Sequence, residues 1–292
     1  MLIAQMTDVH IGFDPDARPE ELNRIRFRST LDRLLAQPNK PDMLVLSGDI
    51  TDHGDLESFA KVAELLSVCP FPVHAMMGNH DSREGLLHAF PNTEGQYFAD
   101  GRGFLHRAFM ADGLLVVLLD TYEADRHGGA FCEARRDWLS AVLAANAGVP
   151  TVIFMHHPPV VSGIQWMDPE PEETWILNFA SALAGFEGQV QAIHCGHLHR
   201  PIITRFRGIP LAVTPSVAPL VSMDLRPITS KKPDSRALIT NEPPTYALHY
   251  WDGTALVTHY ERVSDWDVIA WYGPHLQPMI KHMEDERGGG TR

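Results

Sequence analysis

Cysteine is scarce in this chain of 292 residues, which has only Cys69, Cys132 and Cys195. Widely spaced and odd in number, they provide neither a disulfide framework nor a cysteine-type zinc site, and they fit a reducing compartment. Basic residues are also outnumbered: 24 Lys and Arg stand against 37 Asp and Glu, a formal net charge of −13. No Lys/Arg cluster offsets that balance, so a nucleic-acid polymer is not an expected partner. No apolar run reaches the roughly 20 residues of a membrane span. Met1 to Met6 has no basic n-region, and Asp8 arrives too early for a signal peptide. The expectation is a soluble, cytoplasmic protein without a membrane partner, long enough for one large core and an appendage.

Histidine, in contrast, is abundant at 16 residues. Sixteen imidazoles against three thiols point any metal site toward nitrogen and oxygen ligands, which suit Mn, Fe, Co or Zn. Five apolar runs end in such side chains: Leu2–Met6 before Asp8 and His10, Met43–Leu46 before Asp49, and Val73–Met77 before Gly78-Asn79-His80-Asp81. The fourth, Thr151–Met155, precedes His156-His157, and the fifth, Val190–Ile193, precedes His197 and His199. Taken alone, Gly-Asn-His-Asp reads equally as a turn, because glycine and asparagine are turn residues. Its recurrence with the other run ends is what favours a shared site.

Between these runs the apolar spacing is helical. Phe27, Leu31, Leu34 and Leu35 predict a helix that stops near Gln37-Pro38, and Asp55 is placed to cap one whose stripe is Phe59, Val62, Ala63 and Leu66. Leu114–Leu119 predicts a buried strand ending at Asp120, read here as a loop carboxylate in preference to a group that supports the site, followed by a helix bearing Trp138, Leu139, Val142 and Leu143. A strand-helix alternation of this kind makes parallel strands with right-handed crossovers, and ligands gather at the carboxyl ends of such strands. After His199 the pattern changes to short β-like runs, and Asp252-Gly253 marks a hairpin. The expected organisation is a catalytic domain over 1–219, a cap or oligomerisation segment with returning strands over 220–262, and a partly disordered tail over 263–292. The stretch Leu220 to Pro244 is rich in Pro, Ser and Lys and has no period, which suits a lid, an oligomer contact or a mobile loop.

As chemistry, Asp8, His10, Asp49, Asn79, His156, His197 and His199 supply ligands for two cations with one carboxylate left to bridge. Two metals about 3.5–4 Å apart can hold an attacking hydroxide and clamp phosphoryl oxygens. His80 is then free to protonate a leaving alkoxide or to stabilise the pentacoordinate phosphorus, with Asp81 expected to hold its ring in the right tautomer. His157 and His194 are expected to be supporting or structural.

The set Asp-x-His, Gly-Asp, Gly-Asn-His-Asp, a strand-end His and Gly-His-x-His, in that order over roughly Met1 to Pro215, resembles the calcineurin-like metallophosphoesterases. The resemblance implies an α/β fold, a four-layer α/β/β/α sandwich with a small C-terminal β-rich cap. It also implies a dinuclear centre in which one metal takes Asp8, His10 and His199, the other takes Asn79, His156 and His197, and Asp49 bridges them. Phe154–Pro159, Met167-Asp168-Pro169 and Thr214-Pro215-Ser216 look most like the class III cyclic-nucleotide phosphodiesterase and glycerophosphodiesterase branch. That branch usually carries a histidine shortly after the Thr-Pro, where this chain has Val217-Ala218-Pro219-Leu220. It also tends to form dimers or hexamers, so a homo-oligomer is expected. Three functions stay open on the sequence: a hydrolase of small phosphodiesters, a phosphomonoesterase or nuclease of the same family, and a non-catalytic protein-binding scaffold.

Overall fold

The computed structural model describes residues 1–14, 16–91, 98–99 and 103–287. The first half of the chain alternates as the spacing predicts: β1 (Leu2–Met6), α1 (Leu22–Ala36), β2 (Met43–Leu46), α2 (Leu56–Leu66), β3 (Val73–Ala75) and α3 (Arg83–Ala89). Then come β4 (Phe98–Ala99), β5 (Leu105–Ala111), β6 (Leu114–Leu119), α4 (Glu133–Ala145), β7 (Thr151–Met155), α5 (Thr174–Leu183) and β8 (Val190–Cys195). The remaining elements are β9 (Ile202–Phe206), β10 (Ile209–Val213), β11 (Leu220–Val221), β12 (Ile239–Thr240), β13 (Thr245–Trp251), β14 (Leu256–Arg262) and α6 (Gln277–Glu286).

These strands form two large sheets and a small hairpin. One sheet runs β14-β13-β1-β2-β3 and the other β4-β5-β6-β7-β8-β10-β9, while β11 pairs with β12. Strands β1, β2 and β3 are mutually parallel, as are β6, β7, β8 and β10, so their carboxyl ends point the same way within each sheet.

Period-2 alternation explains why the sheets stack. Ile3 and Val45 face inward and pack with Val116, Leu118, Val152 and Phe154 of the second sheet. Their neighbours Ala4, Met6, Leu44 and Leu46 face outward onto Phe27, Leu31 and Leu34 of α1 and Phe59 and Val62 of α2. On the far side Leu115, Val117, Leu119 and Ile153 pack on Leu139 and Leu143 of α4 and Phe179 and Leu183 of α5. The result is the expected mixed α/β sandwich, two sheets between layers of helix.

Local signals hold in detail. Asp55 caps α2 by accepting from Ser58 N at 2.8 Å, and the Asp252-Gly253 turn joins β13 to β14, with Asp252 Oδ1 accepting from Thr254 N and Ala255 N. The late strands are not a separate layer, since β13 pairs antiparallel with β1 and completes the first sheet. The stretch expected as a tail carries α6, and residues 288–292 lie outside the described residues.

Candidate metal centre

Each of the five run ends delivers its polar side chains to one place, at the carboxyl ends of β1, β2, β3, β7 and β8. The chain makes abrupt turns there. Of the ten non-glycine residues with positive φ among the described residues, five are Asp8, His10, Asp49, His197 and His199. Left-handed backbone is costly for such residues and persists where the surroundings over-determine it. Glycine provides the rest of the fit: a Cβ on Gly78 would lie 2.2 Å from Asp49 N and Oδ1, and one on Gly196 would lie 2.1 Å from Thr7 Oγ1.

Two groups result. Asp8, His10 and His199 each present one ligand atom with all three within 4.8 Å of one another, and His156, His157 and His197 do the same. Asp49 belongs to a group with His10 and His80 and to another with Asp8 and His156, so it stands between the two. Its Oδ2 is 3.2 Å from His156 Nε2 and 3.6 Å from His10 Nε2. Asn79, half-buried, places Oδ1 3.2 Å from His157 Nε2.

The imidazoles are oriented from behind. His156 Nδ1 donates to Ser47 O at 2.8 Å, His199 Nδ1 to Pro219 O at 2.9 Å, and His10 Nδ1 faces Asp52 Oδ1 at 3.0 Å. Each ring proton is thereby drawn to Nδ1, which leaves the Nε2 lone pair facing inward, the arrangement metal-ligating histidines use. The consequence is unfavourable without a cation. His10 Nε2 and His199 Nε2 sit 3.2 Å apart, and the buried His156 Nε2 makes no hydrogen bond. Nitrogen and carboxylate donors in this number fit transition-metal ions.

Electrostatics agree. Burial alone would raise the pKa of Asp49, but His156 and His10 hold it well below the carboxylate range. Burial would lower His156, yet Asp49 and Asp8 raise it to about 9. A field that retains a proton so strongly will equally retain a cation. His197 and His157 are pushed well below the usual imidazole value, first by burial and then by neighbouring histidines, and so stay neutral.

Two expectations need correction. Asp81 does not touch His80: it accepts from Ile50 N, Thr51 N, Thr51 Oγ1 and Gly78 N, tying the β2 end to the β3 end. Burial and the neighbouring Asp49 push it up to about 7. The partner of His80 is Asp52, whose carbonyl lies 2.9 Å from His80 Nδ1. Adjacent residues at a strand-end turn point in different directions, so sequence neighbourhood misled here. Asp120 is likewise no loose carboxylate, being buried between Arg83 (Oδ2 to Nε 3.0 Å, Oδ1 to Nη2 3.1 Å) and Arg135 (3.6 Å). His194 lies away from the site, its ring tilted against that of His249 with centroids 3.9 Å apart. His127, which follows no apolar run and gave no sequence signal, lines the same cavity with its ring 4.8 Å from that of His197.

A family model described as calcineurin-like phosphoesterase matches residues 1–201. Among sequence relatives, a probable glycerophosphodiester phosphodiesterase of Arcobacter nitrofigilis is 29% identical over 266 residues, 89% of this chain and 92% of that one. A probable cyclic nucleotide phosphodiesterase of Rhodopseudomonas palustris is 29% identical over 270 residues, covering 89% of this chain and 91% of that one. Among solved structures, a dimetal phosphatase from Danio rerio superposes with a TM-score of 0.63 at 15% identity over 90% of this chain and 96% of that chain, a likeness of fold.

Proposed function

This chain belongs to the calcineurin-like phosphoesterase family, and from that premise we propose that it hydrolyses small phosphodiesters with two transition-metal ions, drawn from Fe, Mn, Zn and Co. The observation that carries the reading is Asp49, which groups with His10 and His80 on one side and with Asp8 and His156 on the other, together with the Nε2 atoms of His10, His156 and His199 turned inward by partners on Nδ1. Asp8, His10 and His199 would hold one ion, Asn79, His156 and His197 the other, with Asp49 common to both. Bound there, the ions supply Lewis-acid charge to the phosphoryl oxygens and lower the pKa of the attacking water.

The chain's own residues do the rest. His80 lines the cavity beside the ligands. Its backbone N–H donates to Asp49 Oδ1 at 2.9 Å and its Nδ1 to Asp52 O at 2.9 Å, so that in the imidazolium form Nε2 is the nitrogen that delivers a proton to the leaving oxygen. Asp52 orients His10 as well as His80. Asp81 fixes the spacing between the Asp49 and Asn79 turns and acts at a distance from the reacting atoms. Names of relatives support the diester class: a glycerophosphodiester phosphodiesterase and a cyclic nucleotide phosphodiesterase both match along most of their length.

Free cysteines support a reducing, cytoplasmic setting, and no helix among the described residues is long and apolar enough to cross a membrane. The open edge of β14 and the exposed Trp266, Ile269 and Trp271 support a homodimer or larger homo-oligomer. A monomer by light scattering at micromolar concentration would contradict that part.

Hydrolysis of bis(p-nitrophenyl) phosphate and of p-nitrophenyl phosphate, with Mn²⁺ and after chelation, tests the function. Metal-dependent turnover favouring the diester is expected. A monoester preference would move the reading to a phosphomonoesterase, and no turnover of either would leave a scaffold.

A further inference from the structure

The cavity that holds the ligand groups, about 220 Å³, is not polar throughout. Its polar lining is part of the ligand groups with Asn23, Asp52, His80 and His127, and its apolar lining is Phe13, Trp166, Met167, Val221 and Ile239, extended by Ala218 and Pro219. Those apolar side chains come from three separate segments: the loop after β1, the loop between β7 and α5, and the β11-β12 hairpin.

Two observations show that this lining is built and open. Trp166 and Met167 ride on a loop closed by Asp168, which accepts from Ser162 N and Gly163 N at 2.8 Å, and Met167 N donates to Ile164 O at 2.8 Å. The hairpin connection is tied to the same loop by Ile228 N donating to Gln165 Oε1 at 2.8 Å. Yet Phe13 is 38% exposed and Trp166 39% exposed, whereas aromatics such as Phe27, Phe59, Phe131 and Trp251 are buried. Single exposed hydrophobics are ordinary. Two exposed aromatics, a thioether and two branched aliphatics around one cavity, beside a phosphoryl-binding group, select for shape. Aromatic faces gain from stacking a planar ring, and the methionine sulfur adds to ring contacts. Against the wall formed by Phe13, Trp166 and Met167, a glyceryl group would place hydroxyls beside side chains that do not hydrogen-bond them.

We propose that Phe13 and Trp166 clamp a flat aromatic group, an aryl ring or a nucleobase, carried on one ester oxygen of the substrate. This rests on the phosphodiesterase reading for the bond that is cut, and it selects nucleotide-like and aryl diesters over glyceryl diesters. Trp166 and Phe13 thus determine specificity, and neither touches the reacting atoms.

The test uses two diesters with the same leaving group, phenyl p-nitrophenyl phosphate and ethyl p-nitrophenyl phosphate. It is paired with calorimetric binding of phenyl phosphate and ethyl phosphate to the metal-loaded protein. The phenyl-to-ethyl ratio of kcat/KM is expected to be about tenfold or more, to fall toward one in Trp166→Ala and Phe13→Ala, and to recover largely in Trp166→Phe. A wild-type ratio near one, or a ratio unchanged in both alanine variants, overturns the proposal. If neither diester is cleaved but phenyl phosphate binds more tightly than ethyl phosphate, and Trp166→Ala removes the difference, the hydrolase reading fails and the clamp stands. No cleavage together with equal binding removes both.

Discussion

At the residue scale, the Asp49 carboxylate is shared: one oxygen faces His156 and His10, and the other accepts from the backbone of His80. Gly78 is glycine because Asp49 occupies the place its Cβ would take. His80 itself has one nitrogen committed to Asp52, and the proton-donating role proposed for it makes a specific prediction. His80→Ala should keep its metals and lose ~10²–10⁴ in rate for alkyl esters, but far less for nitrophenyl esters, whose leaving group needs no proton. An equal loss for both, measured as kcat with each ester, would assign His80 to charge stabilisation instead. That Asp8, His10, Asp49, His156, His197 and His199 meet in one place was legible in the sequence, because each follows an apolar run by a few residues and such runs end at a common sheet edge. The partner of His80 was not legible. A turn decides which neighbour a side chain meets, and Asp52 reaches His80 from 28 residues away in the chain.

At the scale of elements, buried charges lock the pieces that carry the site. Asp120, at the end of β6, pairs with Arg83 at the start of α3 and Arg135 in α4, and it accepts from Leu105 N and Tyr122 N. Asp120→Ala would strand Arg135, whose side chain is 4% exposed, beside a second guanidinium. The expected cost is about 3–5 kcal/mol, read as a lower urea midpoint with an unchanged slope; a loss under about 1 kcal/mol would deny Asp120 this role. Arg26 of α1 does similar work across the sheet end, donating to the carbonyls of Val217, Ala218 and Glu242 and so fixing the segments that flank the β11-β12 hairpin. Periodicity made α1, α2, α4 and most of the strands legible. The small hairpin was hidden in an aperiodic stretch, and α3 was too short to show a helical stripe. Pairing of β13 with β1 joins residues about 245 apart, which no local pattern encodes.

At the scale of the whole molecule, the space between and beside the sheets holds imidazoles that stay neutral. Burial lowers His74 and His194 from 6.5 to about 3, with Arg107 adding to the effect on His74. The unfolded chain takes up these protons near pH 6.5 and the folded chain only near pH 3. Between those values the unfolded state binds more protons, so stability falls as pH drops below about 6.5, by about 1.4 kcal/mol per unit for each group. His194→Leu should flatten that slope by one group's share between pH 6 and 4 in denaturant titrations, and an unaltered slope would mean that His194 titrates normally. The architecture was legible as a class, because alternating strands and helices with buried faces permit few arrangements. Which strands border each other had to come from the structure.

The central claim is that five separated run ends bind two ions around one shared carboxylate, and counting ions tests it most directly. Metal-depleted protein titrated with Mn²⁺ or Zn²⁺, followed by mass-spectrometric metal analysis, should give two ions per wild-type chain and no more than one in Asp49→Ala. Two tightly held ions in Asp49→Ala would contradict the shared carboxylate, and none in the wild type would contradict the account as a whole.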